Sequence, residues 1–183
     1  MNDPSQVPGL LIRAPVPEDA QAIAMLHIRS WQATYRGLLC DGYLSALDGS
    51  VERRVAFLSK AIEEQSLAIR VAEVEGLIVG WSSFGPSRDE DACAGDGELM
   101  AIYLDPHAWG RGIGSALWSA VRQWLVDEGY HRVSAWVLDG NQRASRFYQK
   151  SGFMPQAASQ RVVEENGEGL PLTRFSLLLD AGE

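Results

Sequence analysis

Three glycines at alternate positions, Gly110, Gly112 and Gly114, follow an apolar run and lead straight into residues with helical spacing. A strand that enters such a turn and then a helix aims several unpaired N–H groups at one place, and the helix dipole adds positive potential there. The chemistry on offer is anion binding by backbone, with glycine allowing close approach and positive φ. Gly-x-Gly also marks any tight strand-to-helix turn, so the loop alone admits both readings. Two phosphate fingerprints can be tested against it. A P-loop needs Lys and then Ser or Thr after its last glycine, whereas Ser115 follows Gly114 here without a Lys. A dinucleotide fingerprint needs Gly-x-Gly-x-x-Gly in an early strand-helix-strand unit, whereas this loop is Gly-x-Gly-x-Gly in mid-chain. Neither fits.

Other residues have types suited to proton transfer. Glu98 opens the apolar run ELMAIYL, and a carboxylate at the end of such a strand could be tuned for that task by partial burial. A solvated strand-end carboxylate is the plainer alternative, and Asp96 and the acids at 89–91 are rivals. Tyr148 stands seven residues after Asn141, two helical turns, so both share one face of a short helix. Tyr148 also suits an aromatic core beside Phe147, and Asn141 a helix cap after Gly140. Trp31 and Tyr35, one turn apart, fit either a core or a pocket wall. His27, His107 and His131 show no metal spacing, and Cys40 and Cys93 form no Cys-x-x-Cys pair. Nothing suggests Ser-His-Asp or Cys-His catalysis.

The elements that must position these groups are legible in outline. A strand at 10–14 precedes a helix opened by Pro17, with Glu18 and Asp19 favouring its N-terminus and Val16 lacking a capping oxygen. Residues 51–65 give a second helix, and the β-rich runs 67–74 and 77–84 are joined by Glu75-Gly76, a hairpin connection between antiparallel neighbours. ELMAIYL suits a central strand covered on both faces. From Ile113 the apolar positions step by three and four to Leu125, and Gly129 ends that helix. RVSAWVL is a strand, a short helix starts at Asn141, and 159–165 and 173–179 are terminal β runs. Residues 85–97, rich in Gly, Asp and Ser, read as a mobile flap. The class is α/β (α+β), with a strand, glycine loop, helix and strand at its centre.

The chain has 183 residues, enough for one core, and we read residues 1–9 as a disordered tail before a single domain over 10–183. A net charge of −8 argues against a nucleic-acid partner, and no apolar run is long enough to span a bilayer. Without a secretory signal at the start, a cytoplasmic location is expected.

Residues 109–114, WGRGIG, together with MAIYLDP before them and NQRASRFYQKSGF at 141–153, make the chain resemble the GNAT superfamily of N-acetyltransferases. SWQATYRGLL is similar to the family's loop after its first helix. Trp109 departs from the pattern, standing where the family usually has Arg or Gln. The resemblance implies a mixed, mostly antiparallel central sheet flanked by helices. It also implies direct transfer of acetyl from acetyl-CoA to a primary amine in a ternary complex. The pyrophosphate would rest on Gly110, Arg111, Gly112, Ile113, Gly114 and Ser115, and the pantetheine arm on Ile102, Tyr103 and Leu104, with Asn141 beside it. Tyr148 would be the acid, Glu98 the base directly or through water, and Trp31 and Tyr35 would line the acceptor pocket. The acceptor would be a small-molecule or peptide amine and the assembly a monomer or homodimer. The alternatives are a non-catalytic acyl-CoA sensor and a protein N-terminal or lysine acetyltransferase.

Overall fold

The computed structural model describes residues 7–165 and 168–179. Strand β1 (Leu10–Arg13) is followed by a 3-10 turn (Pro17–Asp19) and helices α1 (Ala20–Thr34), α2 (Asp41–Ala46) and α3 (Val51–Glu63). Next come β2 (Ala68–Val74), β3 (Leu77–Pro86) and β4 (Asp96–Leu104), then α4 (Ile113–Asp127), β5 (Arg132–Leu138), α5 (Gln142–Lys150), β6 (Met154–Glu165) and β7 (Glu168–Leu178). The strands form one sheet in the order β1-β2-β3-β4-β5-β7-β6. The β1–β2, β2–β3, β5–β7 and β6–β7 pairs are antiparallel, and β4–β5 is parallel. Of residues 1–9, expected as a tail, residues 1–6 lie outside the described residues, while the Val7 carbonyl accepts the Leu10 N–H at 3.1 Å and its side chain packs on the core. An apolar side chain at position 7 is enough to tie the chain down there.

The chain divides into two compact units, Met1–Phe84 with Ala101–Gln123, and Gly85–Met100 with Trp124–Glu183. In the first, Ile23, Leu26, Leu58, Ile69, Val71 and Trp81 form one buried cluster, and Ala72, Ala108 and Ile113 form another with Ile12, Val79 and Leu104. Because Val71 and Ala72 are neighbours on one strand, the two clusters occupy opposite sheet faces. Each fully buried Leu, Ile or Val contributes roughly 1.5–3 kcal/mol through removal from water. The hairpin between β2 and β3 turns at Glu75 and Gly76, with φ of 51° and 80°, as a two-residue primed turn requires. A bulge follows: Ala72 pairs with Gly80 and Glu73 with Ile78, leaving Val79 over. Its carbonyl accepts the Asp105 N–H at 2.9 Å.

In the second unit, β5 lies between β4 and β7, and Val133, Ala135, Phe153 and Leu125 are fully buried. β4 is not uniformly covered: its residues are buried from Asp96 to Leu99 and half-buried from Met100 to Leu104. Its ladder with β5 comprises Asp96–Arg132, Gly97–Val133 and Glu98–Ser134. Residues 85–97, expected as a flap, are anchored instead, and the last two belong to β4. Ser87 N–H meets the Asp96 carbonyl at 2.9 Å, and Arg174 holds Asp91 through two bonds of 2.6 and 2.7 Å.

Candidate active site

The glycine loop lies in the first unit. Asp105 starts it by accepting the His107 N–H at 3.1 Å, while Arg29 clamps its other oxygen at 2.8 and 3.0 Å. Gly110 and Gly112 have φ of 73° and 81°, a left-handed conformation that L side chains rarely adopt, whereas Gly114 is already helical. An added Cβ at Gly110 or Gly112 would meet nothing within 4 Å, so the loop is open on that side. The first helical bond runs from Ala116 N–H to Gly112 O, at 3.1 Å, so the N–H groups of Ile113, Gly114 and Ser115 precede the ladder. Ile113 is fully buried and anchors the helix start, while Gly110, Arg111, Gly112 and Ser115 are exposed. The loop therefore has the backbone form and the room that a pyrophosphate requires.

The same unit gathers aromatic side chains. His27 stacks on Trp31 at 5.5 Å between centroids and lies 5.5 Å from Trp81 and 4.8 Å from Tyr103. Trp31 meets Tyr35 edge-on at 4.9 Å and Tyr103 at 6.3 Å. Trp31, Tyr35 and Tyr103, singled out from sequence, thus come together. His27, Trp81 and Tyr43 complete the group without a local sequence signal beyond apolar spacing. Burial, with help from Arg54, pushes the His27 imidazole down to about 3. It is therefore neutral, and the Arg54 guanidinium 3.4 Å from Nε2 assigns that nitrogen as acceptor. Burial also pushes the Tyr103 phenol up, against an opposing pull from Trp31 and Tyr35. The buried Nε1–H groups of Trp31 and Trp81 nevertheless make no hydrogen bond of good geometry.

In the second unit Glu98 is 3% exposed, and the partner that sequence reasoning missed is Arg88. Arg88 Nε donates to Oε2 at 2.9 Å, Nη2 to Oε1 at 2.7 Å, and the Arg88 backbone N–H to Oε2 at 3.2 Å. A carboxylate offers about four lone-pair positions, so the remaining one lies on Oε1. Hydrogen bonding to Glu98 drives the Arg88 guanidinium further above its ordinary range than burial lowers it.

Three of the rival acids, Asp89, Asp91 and Asp96, are held by partners. Asp89 accepts Trp136 Nε1–H at 2.8 Å, Ser134 Oγ–H at 3.2 Å and Arg174 at 3.3 Å. Burial alone would raise the Asp96 carboxyl, but bonds from Arg132 and the Cys93 N–H outweigh it and hold the group below its usual range. Ser87, Asp89, Asp96, Arg132, Ser134 and Arg174 line a small polar cleft.

Asn141 does cap α5, its Oδ1 accepting the Ala144 N–H at 3.1 Å. Tyr148 is buried on the same helix, edge-on to Phe147 at 5.4 Å and Phe153 at 5.1 Å. Among the described residues there is no cluster of His, Cys, Asp and Glu suited to a metal ion, and no helix is long and apolar enough to cross a membrane.

Residues 24–153 match the Acetyltransferase (GNAT) family. YuaI of Bacillus subtilis, an uncharacterized N-acetyltransferase, is 34% identical over 152 residues, 82% of this chain and 80% of that protein. MnaT of Escherichia coli, an L-amino acid N-acyltransferase, is 31% identical over 112 residues, 61% of this chain and 64% of its own length. Among solved structures, the PaiA N-acetyltransferase of Thermoplasma acidophilum in complex with coenzyme A matches with a TM-score of 0.68 at 21% identity, over 90% of this chain and 97% of that one.

Proposed function

Given that the chain belongs to the acetyltransferase (GNAT) family, we propose that it moves the acetyl group of acetyl-CoA to a primary amine by direct transfer in a ternary complex. The observation that carries this reading is the open, left-handed pair Gly110 and Gly112 ahead of the free N–H groups of Ile113, Gly114 and Ser115. These hold the pyrophosphate, with Arg111 adding a cation beside it. Ile102, Tyr103 and Leu104 supply strand backbone to the pantetheine arm, and Asn141 stands by it. The family match runs through both compact units, which supports reading residues 10–183 as one catalytic domain. The similarity to MnaT, an L-amino acid N-acyltransferase, supports a small-molecule amine, and an amino acid in particular, as acceptor. Trp31 and Tyr35 belong to the pocket that receives it.

An alkyl ammonium has a pKa of about 10, so a proton must leave before the nitrogen attacks. Glu98, through its remaining Oε1 position and directly or by way of a water, takes that proton. The nitrogen bonds to the thioester carbon, the C–S bond breaks, the Tyr148 hydroxyl gives its proton to the departing thiolate, and the second proton lost by the nitrogen restores the Tyr148 hydroxyl. The leaving thiol has a pKa of roughly 8.5 and needs only modest acid assistance.

Calorimetry with acetyl-CoA followed by a screen of amines tests the reading. Tyr148→Phe is expected to leave acetyl-CoA affinity nearly intact and to slow turnover on the order of a hundredfold. Unchanged turnover removes Tyr148 from the mechanism. The bidentate hold of Arg88 on Glu98 favours a second reading, a non-catalytic acyl-CoA sensor, which acetyl-CoA binding without transfer to any amine would support.

A further inference from the structure

We propose that Arg88 is a specificity-determining residue, and that the acceptor is an α-amino acid whose carboxylate sits on the free edge of the Arg88 guanidinium while its ammonium faces Glu98. This rests on the transferase reading above and adds the acceptor's second charged group to it.

The pair is lopsided. Glu98 is buried, whereas the Arg88 side chain is 63% exposed. Arg88 spends its Nε and Nη2 edge on Glu98, at 2.9 and 2.7 Å. A guanidinium has five N–H donors in a planar fork, so one hydrogen of Nη1 and the second of Nη2 form another edge with carboxylate-matching geometry. Among the described residues no acceptor meets Nη1.

The loop carrying Arg88 is also held in place. Ser87 N–H bonds to the Asp96 carbonyl, and Asp89, next in sequence, is tied to Trp136, Ser134 and Arg174. Asp89 adds to the negative field on Arg88, yet its oxygens are committed to those donors, and Asp91 is committed to Arg174. Neither competes for the free edge.

An ion pair is a dipole, and a zwitterion lying antiparallel to it satisfies both ends. In an α-amino acid the nitrogen is two bonds from the carboxyl carbon, so the molecule has the two charges close enough together to span such a pair. A carboxylate must also approach a chain of net charge −8, which makes a local, fixed cation necessary. A simple amine meets only the Glu98 half and leaves Arg88 as it was.

The test compares L-alanine and L-phenylalanine with alaninamide and phenylalaninamide, following thiol release from acetyl-CoA by the full chain and by Arg88→Gln and Arg88→Lys. The amides carry less basic amines, so any preference for the acids runs against intrinsic reactivity. The native protein is expected to favour the acids on the order of a hundredfold in kcat/KM, mainly through KM. Arg88→Gln should erase that preference by raising KM for the acids, and Arg88→Lys, which keeps the charge but not the fork, should restore part of it. Calorimetric titration of native protein with L-phenylalanine in the presence of coenzyme A gives a readout free of turnover, with binding expected and its absence overturning the proposal. Equal use of acids and amides by the native protein, or a preference that survives in Arg88→Gln, overturns it while leaving the transferase reading intact. If no amine is acetylated, the transferase reading falls, and the titration alone decides whether Arg88 binds an amino acid.

Discussion

Around Asp89, the indole N–H of Trp136, the Ser134 hydroxyl and the Arg174 guanidinium converge on one carboxylate; around His27, the buried indole N–H groups of Trp31 and Trp81 make no hydrogen bond of good geometry among the described residues. Both neighbourhoods mix aromatic rings with cations. In the first, Arg161 lies over Trp136 at 4.1 Å and Gln156 and Ser159 take the remaining Arg174 donors. In the second, contact is by ring stacking and His27 is neutral. A buried donor left open is uncommon in a folded protein, because its desolvation is not repaid. The saturated neighbourhood holds a loop in place, whereas the other packs ring on ring around a neutral imidazole.

The largest effect should come from breaking the saturated side. Asp89→Ala strands the Trp136 indole and removes one of the carboxylates facing Arg174, and we expect a loss of about 2–4 kcal/mol, a fall in Tm on the order of 10 °C. Thermal and urea unfolding measure it, and a loss below about 1 kcal/mol would mean the network adds little. Next is acid. His27 has its value lowered from 6.5 to about 3, with Arg54 and Tyr103 the titratable or charged groups facing it. The unfolded chain therefore takes up this proton first, and stability is complete above about pH 6.5 and falls as pH drops toward 3. The fall should amount to about 2 kcal/mol by pH 5, and His27→Gln should remove that part of the slope. A variant whose acid profile overlays the native one would place His27 in water. The smallest effect is expected for Trp81→Phe, which deletes a donor that has no partner: within about 1 kcal/mol. A loss above about 2 kcal/mol would reveal an acceptor for that N–H in solution.

The same contrast explains what the sequence made legible. Features written in neighbouring residues came through: the Glu75-Gly76 turn, the start of α4 at Ile113 and its end before Gly129, the strand at Arg132–Leu138, and the Asn141 cap. These depend on turn chemistry and on apolar spacing of two or three to four. Helix α2 was not anticipated, since six residues carry too little periodicity and its cap is the sulfur of Cys40 rather than an oxygen. Trp136 and Arg174 reach Asp89 across 47 and 85 residues, and the 85–97 segment read as mobile because its anchors are that distant. Glu98 read as a carboxylate opening an apolar strand, partly buried or solvated; it is the third residue of β4 and buried, and its partner ten residues earlier sits in a loop with no period to betray it. Of the family pattern, Trp109 remains the one mismatch, with extended backbone ahead of Gly110.

The extra residue in β3 works like an inserted letter that shifts a reading frame. In a strand alternating regularly through Val79, Ile78 would share a face with Gly80 rather than with Trp81; with Val79 bulged, Ile78 joins the Trp81 cluster and Val79 the opposite one. Deleting Val79 would straighten the strand while leaving Ile78 opposite Glu73 and Gly80 opposite Ala72, each on its present face. It would also take away the carbonyl that the Asp105 N–H uses, so the bulge of the hairpin and the starting point of the glycine loop are fixed by a single residue.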